Sequence, residues 1–225
     1  MAIAEQISLI NKQLNDSNAR LIVVTKTRSI EELQETYAAG ALEFGENRVQ
    51  EMVEKQAVLP KDILWHQIGH LQTNKVKYIA PFVHLIHSVD SLNLLKEINK
   101  QGAKNNRIIH CLLQIFIATE ESKFGLDFKE AEALLMNTAF AEMQNIRIVG
   151  LMGMASFTAD EEQIRREFKS LADFFQQLKN NKTGISTGLV EWAELSMGMS
   201  GDYLIAVELG ATLVRVGSAI FGPRH

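Results

Sequence analysis

The chain has 225 residues, 46% of them apolar and 22% charged, with a formal net charge of −4. This length suits one undivided α/β barrel and would cramp two full domains, and the composition is that of a folded chain with one sizeable core, which excludes dominant disorder. Lys and Arg are scattered along the chain, which speaks against nucleic acid as a partner, and no apolar run is long enough for a membrane span.

In chain order, residues 1–14 alternate apolar and polar positions without the apolar stretch of a secretion signal. They are expected to form an extra helix ahead of the first strand, in a protein located in the cytoplasm. Strands are predicted over 20–26, 42–44, 63–68, 83–87, 107–117, 146–151, 190–195 and 212–216. Between the first two, Ser29 and Glu32 form a capping-box pattern, and Gly40 stops the helix they would start. Cys111, the lone cysteine, lies in an apolar run and reads as a core residue without a disulfide. Farther on, Ile164, Phe168, Leu171, Phe175 and Leu178 recur at helical spacing and need an apolar surface to pack on.

Eight strands alternating with helices imply parallel pairing, because parallel neighbours need a crossover that a helix supplies. The expected fold is therefore α/β, a single (β/α)8 TIM-type barrel over residues 1–225. An open doubly wound sheet is the rival, and it is disfavoured because no Gly-rich dinucleotide turn follows the first strand.

Three features carry chemistry. Lys26 ends the first predicted strand on the face of Ile22 and Val24, where barrel enzymes keep reactive groups. Burial there would favour the neutral amine that attacks an aldehyde, although a lysine that simply reaches solvent is an equal competitor on this stretch alone. The small-residue loop with Ser200, and Gly217-Ser218 after the last strand, belong where barrels bind phosphate with backbone N–H groups and hydroxyls. Arg215 shares a strand face with Leu213 and Gly217, so it would point into the same cavity unless an ion pair at the barrel end engages it.

Other signals are bland. His66 and His70 are four residues apart but read as a strand running into a loop, where hydrogen bonding outweighs metal ligation. Lys123 is the rival amine, and nearby Glu120 and Glu121 would keep it charged. Tyr37, Tyr78 and Tyr203 fall in or near helical segments.

The ordered set Val24-Thr25-Lys26-Thr27, Phe44-Gly45-Glu46-Asn47, Trp65 to Lys75, His87-Ser88-Val89-Asp90, Glu120 to Gly125, Gly150 to Met154, Leu195 to Asp202 and Val214 to Ser218 spans nearly the whole chain. It resembles the pyridoxal phosphate homeostasis protein family, single-domain relatives of the N-terminal barrel domain of alanine racemase. The resemblance implies pyridoxal 5′-phosphate (PLP) held as a Schiff base on Lys26, with Ser200, Gly217 and Ser218 at the phosphate. It also places Arg215 near the pyridine nitrogen and Asn47 and Met154 along the cofactor face. Arg48 and Gln67 depart from the family pattern without touching these positions.

A racemase on this barrel would need a second base, which the resemblance assigns to a tyrosine from an additional domain. The chain ends nine residues after Val216, which leaves no room for one. An arginine at the pyridine nitrogen also weakens the electron sink. The expectation is a monomeric PLP carrier that affects PLP supply and amino-acid balance and passes PLP to PLP-dependent apo-enzymes. The alternatives are a PLP enzyme with weak racemase-like activity and a PLP-free Schiff-base aldolase.

Overall fold

The computed structural model describes residues 2–119, 125–181 and 188–222. The chain begins with α1 (Ile3–Leu14), whose Ile7, Ile10 and Leu14 are spaced to bury one face, and this helix packs against α2 and α10. The barrel then runs β1 (Arg20–Val24), α2 (Ile30–Ala38), β2 (Glu43–Glu46), α3 (Val49–Val58), β3 (Leu64–Gln67), α4 (Val76–Ile79), β4 (Leu85–Val89) and α5 (Leu92–Lys104). It continues with β5 (Ile109–Phe116), α6 (Phe128–Leu135), α7 (Thr138–Ala141), β6 (Ile146–Met154), α8 (Glu161–Asn180), β7 (Val190–Ser196), α9 (Tyr203–Glu208), β8 (Leu213–Val216) and α10 (Ser218–Phe221).

All eight strands pair in parallel in sequence order, and β8 closes on β1 with Ile22 opposite Arg215. The predicted closed barrel is the observed one, and the open sheet is excluded. Local signals act as expected at α2. The Ser29 hydroxyl accepts from Glu32 N–H while the Glu32 carboxylate accepts from Ser29 N–H, and the chain turns at Gly40 with φ +89°. The spaced apolar residues of α8 are all buried, and so is Cys111.

Strand alternation sorts the core into two bodies. Val23, Phe44, Trp65, Ile86, Cys111, Leu113 and Val214 face the helices, whereas Ile22, Leu85, Leu112, Val149, Met152 and Leu213 form a separate cluster inside the barrel. Several strand ends differ from those predicted. β1 stops at Val24, so Lys26 lies two residues beyond the strand, and Thr27 follows with φ +64°. β2 continues through Gly45 to Glu46, β4 runs from Leu85 to Val89, and β6 reaches Met154 through its pairing with Phe116. In each of these cases tertiary pairing extends or trims a strand where local composition is neutral.

Candidate functional site

The site is assembled at the carboxyl ends of the strands. On the β1 side, Thr25 is buried and its hydroxyl donates to the Glu46 carboxylate at 2.6 Å. Lys55, reaching in from α3, donates to the Thr25 carbonyl at 2.7 Å, to Glu46 at 2.8 Å and to Glu51 at 2.6 Å. Glu51 in turn accepts the Thr27 N–H at 2.5 Å. Thr27, a β-branched residue at positive φ, costs energy that this buried cluster holds in place, and the result is a fixed turn directly after Lys26. Burial raises the pKa of Glu46 more than the neighbouring Lys55 ammonium lowers it. The side chains of Ile22 and Lys26 follow the predicted common face, with Ile22 in the barrel interior and part-buried Lys26 at its mouth.

On the β7–β8 side, the loop between Ser196 and Tyr203 is folded on itself, with Met199 N–H donating to the Asp202 carboxylate at 2.6 Å. The Ser200 hydroxyl oxygen accepts two backbone N–H groups, Gly217 at 3.1 Å and Ala219 at 3.3 Å. Gly217 sits against β1, and a Cβ there would lie 3.2 Å from Val24 Cβ and 3.3 Å from its carbonyl oxygen, tight enough to push the two strand ends apart. Asp202 has a raised pKa because it is buried, an effect only partly offset by the Met199 N–H and the Arg215 charge.

Arg215 projects into the barrel interior, 4% exposed, and donates to Ser196 Oγ at 2.6 Å and to the Gly153 carbonyl at 3.1 Å. Burial lowers its pKa to about 10, against the pull of Asp202, so the guanidinium stays protonated at neutral pH. Among the described residues no carboxylate forms an ion pair with it, so it is not the end-of-barrel ion pair that competed with the cavity reading.

These elements enclose a cavity of about 590 Å³, within the range of small-molecule sites. Lys26, Asn47, Met154, Ser200, Arg215, Gly217 and Ser218, all picked out from the sequence, line it together. His70 is also at the wall, with Nδ1 3.3 Å from Asp90. Gln114, Ser156 and Asp202 line it too and were missed. Gln114 carried a readable signal, since it is a polar residue within the apolar run of β5 on the face of Leu112. His66 is a buried strand residue bonded to His87, which agrees with the predicted strand and the hydrogen-bonded reading. The rival amine Lys123 lies outside the described residues.

The sequence profile of the alanine racemase N-terminal domain matches residues 1–225. A pyridoxal phosphate homeostasis protein of Aquifex aeolicus is 39% identical over 207 residues, covering 92% of this chain and 87% of its own. The solved structure of PipY from Synechococcus elongatus without PLP is 34% identical and superimposes with a TM-score of 0.88, covering 98% of this chain and all of that one. The structure of the same protein with PLP bound has a TM-score of 0.85 at 34% identity, again over 98% of this chain and 100% of that one. With a full-length profile match and a relative this similar over most of both chains, the protein belongs to the pyridoxal phosphate homeostasis protein family, built on the barrel of the alanine racemase N-terminal domain.

Proposed function

We propose that this protein binds PLP as a Schiff base on Lys26 and serves PLP homeostasis as a carrier. The observation that carries the reading is the convergence of seven residues, from the ends of β1, β2, β6 and β8 and the loop after β7, on one cavity of about 590 Å³. The donor set fits the cofactor. Gly217 and Ala219 N–H groups already meet on one oxygen, that of the Ser200 hydroxyl, the kind of convergence an ester phosphate needs, and Ser218 lines the same cavity. Arg215, a donor that keeps its proton at neutral pH, suits a ring nitrogen that only accepts. PipY, with the same fold and 34% identity, has been solved with PLP bound, which supports the same ligand here.

In this reading the neutral Lys26 amine attacks the aldehyde carbon and water leaves, while Asn47 and Met154 border the ring. Bound PLP supplies an electron-withdrawing ring conjugated to the lysine nitrogen, and Arg215 keeps that withdrawal weak by leaving the ring nitrogen unprotonated. Weak withdrawal favours storage and transfer over amino-acid chemistry, and PLP-dependent apo-enzymes are the proposed recipients. The reading includes a cytoplasmic monomer. Among the described residues no helix is long and apolar enough to cross a membrane.

The test is the visible spectrum of the purified protein with added PLP, repeated after borohydride reduction and with Lys26→Ala. A Schiff-base band is expected in the native chain and absent from the variant, with the reduced adduct mapping to Lys26. An adduct mapping to another amine overturns the assignment. Exchange of an amino acid's Cα proton into solvent with PLP bound would replace the carrier with an enzyme.

A further inference from the structure

Beneath the cavity a line of polar side chains crosses the barrel interior, where layers of branched apolar residues would be the ordinary filling. Arg215 donates to Ser196 Oγ at 2.6 Å, and Ser196 Oγ lies 3.0 Å from His87 Nδ1. His87 Nε2 is 3.0 Å from His66 Nδ1, and His66 Nε2 is 3.3 Å from Glu43 Oε2. Ser196, His87 and His66 are all fully buried. At the far end, the other Glu43 oxygen accepts from Arg20 at 2.9 Å, and Arg20 also reaches Glu194 at 3.1 Å.

Elementary bookkeeping of protons orients this line. A guanidinium only donates, so Ser196 Oγ is the acceptor at one end. At the other end, His66 Nε2 and Glu43 Oε2 face each other at 3.3 Å, a contact without hydrogen-bond alignment, and among the described residues neither atom has a hydrogen-bond partner. Two buried acceptors in that position would both go unsatisfied, so the proton sits on His66 Nε2. A neutral His66 then accepts at Nδ1 from His87 Nε2–H, which leaves His87 Nδ1 to accept the Ser196 hydroxyl proton. Every donor points from Arg215 toward Glu43. A charged His87 would break this order, and burial, with the Arg215 guanidinium nearby, pushes its pKa well below the usual histidine value. An imidazolium on His66 would reverse both histidine bonds and leave Ser196 accepting twice.

We propose that His87 and Ser196 are positioning residues for Arg215: the one-way chain engages one edge of the guanidinium, the Gly153 carbonyl engages another nitrogen, and the plane so fixed presents Arg215 to the cavity. The link to PLP rests on the function proposed above, whereas the chain itself exists without ligand.

Nitrogen-15 NMR of the full ligand-free chain at neutral pH tests the order of donors. Both His66 and His87 are expected neutral with the proton on Nε2, and an Nδ1–H tautomer at His87 or an imidazolium at His66 overturns the proposal. In the same spectra the Arg215 guanidinium N–H signals are expected to be resolved and protected in the native chain and to collapse in Ser196→Ala and His87→Leu. His87→Asn, whose side-chain oxygen can stand where Nδ1 stood, is expected to restore them. Arg215 signals unchanged in Ser196→Ala and His87→Leu sink the positioning role. With PLP loaded, loss of the Schiff-base band is expected to be about tenfold faster in Ser196→Ala than in the native chain, and equal rates count against the proposal. A native chain that never forms the band defeats the PLP reading alone, because the NMR measurements decide the chain of donors without it.

Discussion

The two sides of the cavity mouth bury polar groups by opposite means. On the β1–β2 side, Lys55 is enclosed with Glu46 and Glu51, full charges in contact at 2.6–2.8 Å, and this cluster fixes the turn that carries Lys26. On the β7–β8 side, backbone N–H groups meet a serine hydroxyl, and the buried cation Arg215 is held by a hydroxyl and a carbonyl. Paired charges hold a backbone rigidly but fail abruptly when one member is lost, whereas neutral dipoles leave a positive potential open to an incoming anion and degrade in small steps. In the proposed function, the covalent anchor therefore sits on the rigid side, and the reversible anion grip sits on the adaptable one.

The sharpest way to break this contrast is Lys55→Met, which leaves buried Glu46 and part-exposed Glu51 without their cation. A loss of about 3–5 kcal/mol in denaturant unfolding is expected, together with slower Schiff-base formation at Lys26. A variant as stable as the native chain would show that the cluster holds nothing. Next in size, Gly217→Ala forces Val24 aside and should cost about 1–3 kcal/mol, with weaker PLP retention. Unchanged retention and stability would mean that the β1–β8 contact is not tight. Ser200→Ala removes one acceptor from two N–H groups that an anion or water can satisfy. Only about 0.5–1.5 kcal/mol of ligand-free stability should be lost, and inorganic phosphate should restore part of it. A loss as large as that of Lys55→Met would erase the distinction between the two sides.

The smallest effect concerns acid. His84 has its pKa lowered to about 4, chiefly by burial, and His110 is lowered by burial as well. Both bind protons more readily in the unfolded chain than in the folded one, so their contribution is complete above the usual histidine value near 6.5 and is lost as pH falls below it, for His84 toward 4. Stability measured by denaturant should decline across that window. In His84→Gln the decline should be shallower, and an identical slope would remove His84 from the account. Glu43 follows at lower pH. Burial raises its pKa, but the His66 bond and the Arg20 charge outweigh that and hold it below the usual 4.5, so its contribution is present above that value and lost below it.

Much of the site could be read before any coordinates, and for identifiable reasons. Lys26, Arg215 and Gly217 sit at or just past strand ends, where period-two alternation and the barrel rule together say which way a side chain points. Ser200 and Ser218 could be placed because small polar residues gathered in two late loops mark the usual anion corner. Gln114 was passed over although it carried a signal, because a single polar residue in an apolar run also fits a solvated edge until the strand is known to be central. His66 and His87 were hidden for a related reason: twenty-one residues apart and on different strands, they become one hydrogen-bonded pair only when β3 lies beside β4.

The sequence by itself determined the alternation of strands and helices, the caps, the inward face of each strand and the identity of the groups at the rim, because these depend on local periodicity and residue chemistry. Tertiary structure alone decided the closure of β8 on β1, the strand ends, the charge cluster under Lys26 and the line of donors from Arg215 to Glu43. Those features join residues far apart in the chain. Distance and direction between such residues are set by the register and curvature of a closed sheet, which no local pattern encodes.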